Sequence, residues 1–261
     1  MRIVVPLKQV PDTNNVRIDP KRGTLIREGV PSIINPEDKN ALELALSVKA
    51  ARGGEVIVIS MGPPQAEEAL REAVAMGADK AILLTDRAFA GADTLATATT
   101  LGTAIRKLGG CQLILCGRQA IDGDTAQVGP QLAENLGVPQ VTYVRRLDLE
   151  DGVATVEREL EDGHEVIQVK LPALFTVTKE ANKPRYPHAR AIMSCYGPGK
   201  LECWSLADVG LSEETVGLNG SPTKVKRTFS PQPKGQGEML SGTKQEVVKA
   251  LCRRLRGRSL L

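Results

Sequence analysis

Short apolar runs alternate with helical patterns along the first 180 residues, and this alternation constrains the fold more than any other feature. The apolar runs predict buried strands over 3–7, 55–60, 80–84, 112–116 and 173–177. The stretches between them have apolar residues at helical spacing, which predicts helices over 38–51, 65–76, 94–108 and 126–136. Glycine follows the last three of these helices directly, as is usual where a helix ends.

This strand–helix order predicts an α/β fold, a three-layer, parallel, doubly wound sheet of the Rossmann-like type. Residues 153–159 and 165–169, joined around Asp162-Gly163, predict a β-hairpin. Beyond residue 179 the pattern fails, since 222–242 is rich in Pro and Gly and predicts an extended arm before a helix over 243–255. We therefore expect an α/β domain over 1–195 and a C-terminal arm and helix, packing on a partner, over 196–261.

Charge is unevenly distributed along the 261 residues, whose formal net charge is +3. The last 81 residues, 181–261, hold 14 basic and 6 acidic residues, so this tail carries +8 and the rest of the chain −5. A basic tail suits nucleic acid, an anionic membrane or an acidic protein face. Because aromatic residues are only 3% and no nucleic-acid motif occurs, we expect a protein partner and no nucleic acid.

Several classes of protein are disfavoured by what the chain contains. No apolar run is long enough for a transmembrane segment, and the first residues do not resemble a signal peptide, so we expect a cytoplasmic protein. Five scattered cysteines without a CxxC pair and two histidines disfavour a disulfide framework or a metal site. No catalytic residues are expected, since no triad or GxSxG elbow occurs, and any redox chemistry would belong to a cofactor.

A polar, glycine-containing segment follows the fourth predicted strand, at the end of the sheet where such folds bind ligands. Backbone N–H groups before a helix can hold phosphate, and Asp122 and Asp124 could accept hydrogen bonds from ribose or adenine. Alternatively, Asp124 or Thr125 caps the next helix. The segment is neither a GxGxxG nor a P-loop. Its candidate cofactor-binding residues are Gly117, Arg118, Gln119, Ala120, Ile121, Asp122, Gly123, Asp124, Thr125, Ala126, Gln127 and Val128.

Three further segments fall at the same end of neighbouring strand–helix units. Their shared location strengthens the prediction that each of them binds a ligand. The Gly-Pro turn over 60–63 admits a ligand close to the backbone, or is a plain strand-to-helix turn. Asn35 either caps the helix it opens or reads a base edge, and Asp93 is either a cap or a ligand-binding residue. The candidates in these segments are Asn35, Pro36, Asp38, Ser60, Met61, Gly62, Ala92, Asp93 and Thr94.

A long segment over 156–172 resembles the signature of the electron transfer flavoprotein β-subunit. The matching positions are Arg158, Glu161, Asp162, Gly163, Glu165, Ile167, Pro172, Leu174 and Thr176, while Phe175 replaces the usual aliphatic residue. Further segments that resemble the family lie over 7–10, 35–36, 60–63, 76–79, 119–122 and 182–186, so the resemblance covers nearly the whole chain.

The resemblance implies a heterodimer with an α-subunit that holds a mobile FAD. It also implies that the β-subunit binds AMP, which is structural, or a second FAD. The family's nucleotide site falls here on 35–38, Met61 and 117–128, with Pro6 and Leu7 at the end of the first strand. A nucleotide-hydrolysing or nucleotide-sensing domain is a weaker alternative, because the chain has no phosphate-gripping lysine motif.

Residues 122–130, 91–94 and 216–223 resemble the electron-bifurcating branch of the family. In that branch the β-subunit's FAD accepts a hydride from NADH, then sends one electron to a high-potential flavin and one to a low-potential acceptor. Val128-Gly129-Pro130 is expected to leave room for the flavin. We therefore expect an electron carrier subunit, within an NADH-oxidising complex. The alternative is a non-bifurcating β-subunit that holds AMP and docks the dehydrogenase.

Residues 179–193 resemble the family's recognition loop, which docks flavin-dependent dehydrogenases through an apolar anchor. The loop is shorter here, and Ala189 occupies the anchor position. Residues 184–186 could instead form a packing corner. The candidate docking residues are Pro184, Arg185, Tyr186, His188, Ala189 and Arg190.

Overall fold

A computed structural model describes residues 1–12, 17–18, 25–26, 31–226, 235 and 237–261. The chain forms two compact units, Met1–Val225 and Lys226–Leu261. The strands are β1 (Arg2–Pro6), β2 (Gln9–Pro11), β3 (Arg17–Ile18), β4 (Leu25–Ile26), β5 (Ser32–Ile34), β6 (Glu55–Met61), β7 (Lys80–Leu84), β8 (Leu113–Gly117), β9 (Gln140–Glu150), β10 (Val153–Glu159), β11 (His164–Lys170), β12 (Ala173–Val177) and β13 (Leu201–Trp204). The α-helices are α1 (Pro36–Arg52), α2 (Glu67–Met76), α3 (Thr94–Lys107), α4 (Val128–Leu136), α5 (Ala189–Ser194), α6 (Leu206–Val209) and α7 (Lys244–Gly257).

A nine-stranded sheet forms the centre of the first unit, in the order β11-β10-β9-β12-β8-β1-β6-β7-β13. In this order, the seven strands from β9 to β13 are parallel to one another, and β10 and β11 extend the sheet beside β9 as an antiparallel hairpin. The sheet grows outward from β1 in both directions, so the predicted doubly wound fold and its hairpin are confirmed. The switch point, where such sheets bind ligands, lies between the carboxyl ends of β1 and β8.

Helices cover both faces of the sheet, as the continuous apolar strands predict. In β1, Ile3 and Val5 belong to a core shared with α1 and α2, while Val4 belongs to a second core shared with α3 and α4. Successive residues of a strand point to opposite faces, so one short run contributes to both cores. The structure is therefore three-layered.

The start of α4 differs from the prediction. The helical pattern predicts a start at residue 126, but α4 begins at Val128 because Ala126 has a φ of 53°. Asp124 has a φ of 51°, and neither left-handed residue can belong to a right-handed helix. Gln127 is the N-cap and makes no side-chain capping bond within the described chain, so the alternative in which Asp124 or Thr125 caps this helix is wrong.

Two strands of the main sheet have no counterpart in the sequence prediction. Strand β9 continues the sheet beside β12, and β13 pairs with β7 at the opposite edge. Because β13 joins this sheet, the first unit extends to Val225, past the boundary expected after residue 195. The terminal helix is confirmed as α7, whereas residues 227–234 and 236 of the predicted arm lie outside the described residues.

In the described part of the chain, no helix is both long enough and apolar enough to cross a bilayer.

Candidate cofactor site

Asp38 joins the two strand ends at the switch point. The backbone N–H of Lys8, just after β1, donates to Asp38 Oδ2 at 2.8 Å, and the N–H of Gly117, at the end of β8, donates to Oδ1 at 3.0 Å. Burial raises the pKa of Asp38 to about 7, against the opposing effect of these N–H donors and of the Asn35 side chain. One buried carboxyl group therefore fixes the position at which the loop over 117–128 begins.

Asn35 holds the same loop at two further points. Its Nδ2 donates to the carbonyl of Gln119 at 2.8 Å, and the N–H of Ile121 donates to its Oδ1 at 3.1 Å. Asn35 is the N-cap residue of α1, as one of its two predicted roles required, although no capping bond from its side chain is found in the described chain. Its amide positions loop backbone, and the alternative role in reading a base stays a prediction.

Glu37 also contacts this loop, although within the segment over 35–38 it was not itself a predicted cofactor-binding residue. It accepts the N–H of Gln119 at 3.0 Å on Oε2 and pairs with Arg118 Nη2 at 2.9 Å on Oε1. Desolvation raises the pKa of Glu37, and the charge of Arg118 opposes that rise. A glutamate in the first turn of a helix is ordinarily explained by the helix dipole, so its type and position gave no sign of this contact.

Asp122 is paired inside the site. Lys8 Nζ lies 2.6 Å from Asp122 Oδ1, and the Asp122 side chain is only 5% exposed. Lys8 lies just after β1 and was not a predicted site residue, although its segment over 7–10 was singled out for its resemblance to the family. Further along the loop, Gln119 Nε2 donates to Asp124 Oδ1. The acidic side chains expected to face ribose or adenine are therefore engaged with the chain's own donors.

The N-terminus of α4 is the part of the loop that remains open. No partner for the N–H groups of Val128 and Gly129 is found among the described residues, and no side chain caps this helix there. Beside it, the Thr94 hydroxyl donates to Gln127 Oε1 at 3.0 Å. A Cβ added at Gly123 would meet no atom within 4 Å. Unpaired N–H groups at the positive end of a helix dipole suit a phosphate oxygen.

Gly129 allows α4 to pack closely on the sheet. A Cβ on this residue would lie 2.6 Å from Thr176 Cγ2 and 3.1 Å from Cys116 Sγ, so α4 approaches β8 and β12 closely here. Close packing on the sheet therefore explains the glycine at this position, and the expectation that Val128-Gly129-Pro130 leaves room for a flavin stays a prediction.

Asp93 caps α3, as one of its two predicted roles required. Its Oδ1 accepts the N–H groups of Leu95 and Ala96, each at 3.0 Å. Its Oδ2 accepts the N–H and hydroxyl of Thr223 at 3.1 and 2.8 Å, and its own N–H donates to Ser221 Oγ at 2.8 Å. The segments over 91–94 and 216–223, both similar to the bifurcating branch, are thus in direct contact.

The turn over 60–63 is a strand-to-helix connection. The N–H of Gly62 donates to the carbonyl of Leu84 at 3.0 Å, and the N–H of Leu7 donates to the carbonyl of Ile59 at 2.9 Å. Ser60 is buried, and Met61 packs against the core formed with α3 and α4. Ligand binding by Pro6, Leu7, Ser60, Met61, Gly62 and Ala92 stays a prediction.

Comparison with known proteins decides the family. The sequence profile described as "Electron transfer flavoprotein domain" matches residues 22–199. The chain belongs to the electron transfer flavoprotein family. It is 56% identical, over all of both chains, to the electron transfer flavoprotein subunit beta of Thermoanaerobacterium thermosaccharolyticum. It is 57% identical, again over all of both, to the caffeyl-CoA reductase-Etf complex subunit CarD of Acetobacterium woodii. Acryloyl-CoA reductase electron transfer subunit gamma of Anaerotignum propionicum is 48% identical, with 98% of each chain covered.

The resemblance of this electron transfer flavoprotein chain to β-subunits is thereby confirmed. Its candidate docking segment divides into an anchored part and an exposed part. Arg185 donates from Nε and Nη2 to the two carboxylate oxygens of Glu43, each at 2.8 Å, which agrees with a packing corner. Tyr186, by contrast, is 86% exposed. His188, Ala189 and Arg190 are also exposed, and Pro184 is half-buried.

The apolar side chains of the docking segment are not those expected. Ala189 is the first residue of the short helix α5, and a methyl group offers little apolar surface for an anchor. Met193, in the same helix, is 82% exposed, and Ile192 and Tyr196 are exposed as well. Docking through the predicted residues stays a prediction, but these three offer more apolar area.

Proposed function

We propose that this chain is the β-subunit of a heterodimeric electron transfer flavoprotein and binds FAD at the carboxyl ends of β1 and β8. The open N-terminus of α4 supports this proposal, because its N–H groups suit the pyrophosphate of an adenine dinucleotide. Three buried side chains, Asn35, Glu37 and Asp38, fix the loop in front of that helix. A loop already held in shape loses little entropy when a ligand binds.

The chain's own residues would bind and orient the cofactor. The N–H groups of Val128 and Gly129 would hold phosphate, and the open space at Gly123 would let a ligand approach the backbone. Arg118 brings a positive charge to the same loop, and its Nε is buried without a partner among the described residues. A bound flavin supplies the electron chemistry.

We propose NADH as the electron donor and bifurcation as the mode of transfer. The support is the resemblance of 91–94, 122–130 and 216–223 to the bifurcating branch, together with the contact of the first and last of these at Asp93. Two relatives are named for caffeyl-CoA and acryloyl-CoA reductases. We therefore propose that the partner is a flavin-dependent dehydrogenase of the acyl-CoA class, and that electrons pass to it and to the α-subunit's FAD.

The cofactor content of the purified heterodimer tests the proposal. We expect about two FAD per αβ pair and no AMP in an acid extract, since both subunits would then carry flavin. The measurement is flavin absorbance together with chromatographic quantification of AMP. One FAD with one AMP would instead mean the non-bifurcating β-subunit. If neither FAD nor AMP can be assigned to this chain, the proposed site is contradicted.

The basic C-terminal unit is proposed to clasp the α-subunit. Deleting residues 226–261 leaves the contact between Asp93 and Thr223 in place. We expect this deletion to raise the dissociation constant of the heterodimer tenfold or more, which corresponds to about 1.4 kcal/mol. The dissociation constant, measured by titrating labelled α-subunit, checks this. Deleting only 259–261, which lie beyond α7, is the matched control and should change little. Equal affinity of the 226–261 deletion and the full chain would exclude the clasp.

A further inference from the structure

Three polar side chains form a buried stripe along α1. Glu37, Asn40 and Glu43 recur at every third residue, and all three are buried. On a helix this spacing places them next to one another along one side. Burial of two carboxylates and an amide is costly unless each is paired, so the contacts of this stripe must offset that cost.

One end of the stripe holds the candidate cofactor loop. Glu37 accepts the N–H of Gln119 at 3.0 Å and pairs with Arg118 at 2.9 Å. Both partners are the second and third residues of the loop over 117–128. The carboxylate therefore fixes backbone and side chain of the loop together.

The other end of the stripe holds the start of the docking segment. Asn40 Nδ2 donates to the carbonyl of Asn182 at 2.8 Å, and Asn182 Nδ2 donates back to the carbonyl of Asn40 at 2.9 Å. Glu43 accepts the N–H of Arg185 at 3.0 Å in addition to the two guanidinium bonds. Burial opposes the charge on Glu43, yet Arg185 holds its pKa below the ordinary value.

The chain that leads into the docking segment also contacts the stripe and the cofactor loop. Asn40 Nδ2 also donates to the carbonyl of Lys179 at 3.5 Å, where the chain leads into the docking segment. In addition, the N–H of Arg118 donates to the carbonyl of Val177 at 3.0 Å, two residues before Lys179. A shift of the cofactor loop would therefore act directly on the chain that enters the docking segment.

We propose that this stripe couples the two loops, so that an adenine cofactor held by 117–128 stabilises residues 182–186, the part of the docking segment that α1 contacts, with Glu43 and Arg185 as positioning residues. The inference rests on the proposed function, in which this loop binds the cofactor. Coupling of this kind is reciprocal. Loss of the Glu43–Arg185 pair should therefore weaken cofactor binding by the same factor by which the bound cofactor slows exchange in this segment. Such a β-subunit would present its docking segment in the right position only when loaded.

Hydrogen exchange of the full chain in its αβ complex tests this coupling. The amides of 182–186 are compared with and without saturating FAD or AMP. We expect depletion to speed their exchange about fivefold or more, within the usual range of allosteric coupling. Arg185→Gln, which removes the bidentate pair, should abolish the difference and weaken cofactor binding by a similar factor. Arg185→Lys keeps the charge but loses the planar guanidinium that pairs with both carboxylate oxygens, so it should retain only part of the difference in exchange.

Lys49→Gln is the matched control. Lys49 pairs with Asp79 at 2.7 Å from the last turns of the same helix and contacts neither loop, so this variant should keep the full difference in exchange. Equal exchange in loaded and depleted wild-type complex would overturn the coupling. If no adenine nucleotide binds at all, the proposed function itself fails, and the two failures are distinguishable by cofactor content alone.

Discussion

Replacing Gly117 with alanine is expected to destabilise the chain by about 3 kcal/mol and to abolish retention of the cofactor. A Cβ at this position would collide with Asp38 Oδ1 and would lie 2.7 Å from both the backbone nitrogen of Asp38 and the carbonyl carbon of Glu37. Backbone atoms of a buried helix cannot rotate away as a flexible side chain can. The end of β8 and the start of α1 must then separate, and the loop that follows Gly117 loses its fixed origin.

Urea unfolding and nucleotide content of the same preparation measure the two effects of Gly117→Ala. Gly163→Ala, in the turn of the β10–β11 hairpin and outside the proposed cofactor site, is the matched control, because a Cβ there meets nothing within 4 Å. It should leave the free energy of unfolding within about 0.5 kcal/mol of the wild type, as for an unstrained surface change. A Gly117→Ala protein as stable as the control would show that α1 and β8 are not in the close contact described here.

The sheet could be predicted from sequence because its central strands are buried on both faces. A run such as Val56 to Ile59 is continuously apolar, and a glycine such as Gly77 or Gly137 ends the helix that follows a strand. Strand β9 differs, since its second half alternates exposed and half-buried residues and has several charges. Strand β13 has only four residues, too few for any period to emerge.

The edge of the sheet at which the predicted segments end could be predicted from sequence, but the contacts of their side chains could not. Segments after parallel strands converge on one edge of the sheet, and the predicted segments do meet there. The type of a residue does not decide its partner. The side chains of Asn35, Asp38 and Asp122 can bind ribose or adenine as well as they bind backbone N–H groups or a lysine of the same chain. Their observed partners lie 30 to 114 residues away in the chain, and only the completed topology brings them together.

Asp38→Asn is expected to remove a large pH dependence from the stability of the chain. The pKa of Asp38 is raised from 3.8 to about 7 by burial, so between these values the folded chain binds more protons than the unfolded chain. The wild type's free energy of unfolding therefore falls as pH rises from about 4 to 7, by an amount on the order of 4 kcal/mol. Asparagine does not titrate, so the variant should lack this slope and match or exceed the wild type's stability at pH 8.

The same substitution should harm cofactor binding. An asparagine amide offers one acceptor where the carboxylate offers two, so the N–H of Lys8 or of Gly117 loses its partner, at a cost of about 1–3 kcal/mol. Gain of stability with loss of nucleotide would mean that the chain keeps a costly buried charge in order to shape its loop. Urea unfolding at pH 5 and pH 8, with nucleotide content at each pH, measures both effects.

Asp86→Asn is a control of opposite sign. The N–H of Ala88 and other backbone donors lower the pKa of this half-buried cap, so its contribution to stability is present at neutral pH and is lost as pH falls below about 4. This variant should keep the wild type's fall in stability between pH 4 and 7. If Asp38→Asn keeps that fall too, the slope belongs to another group and the buried carboxyl is not its origin.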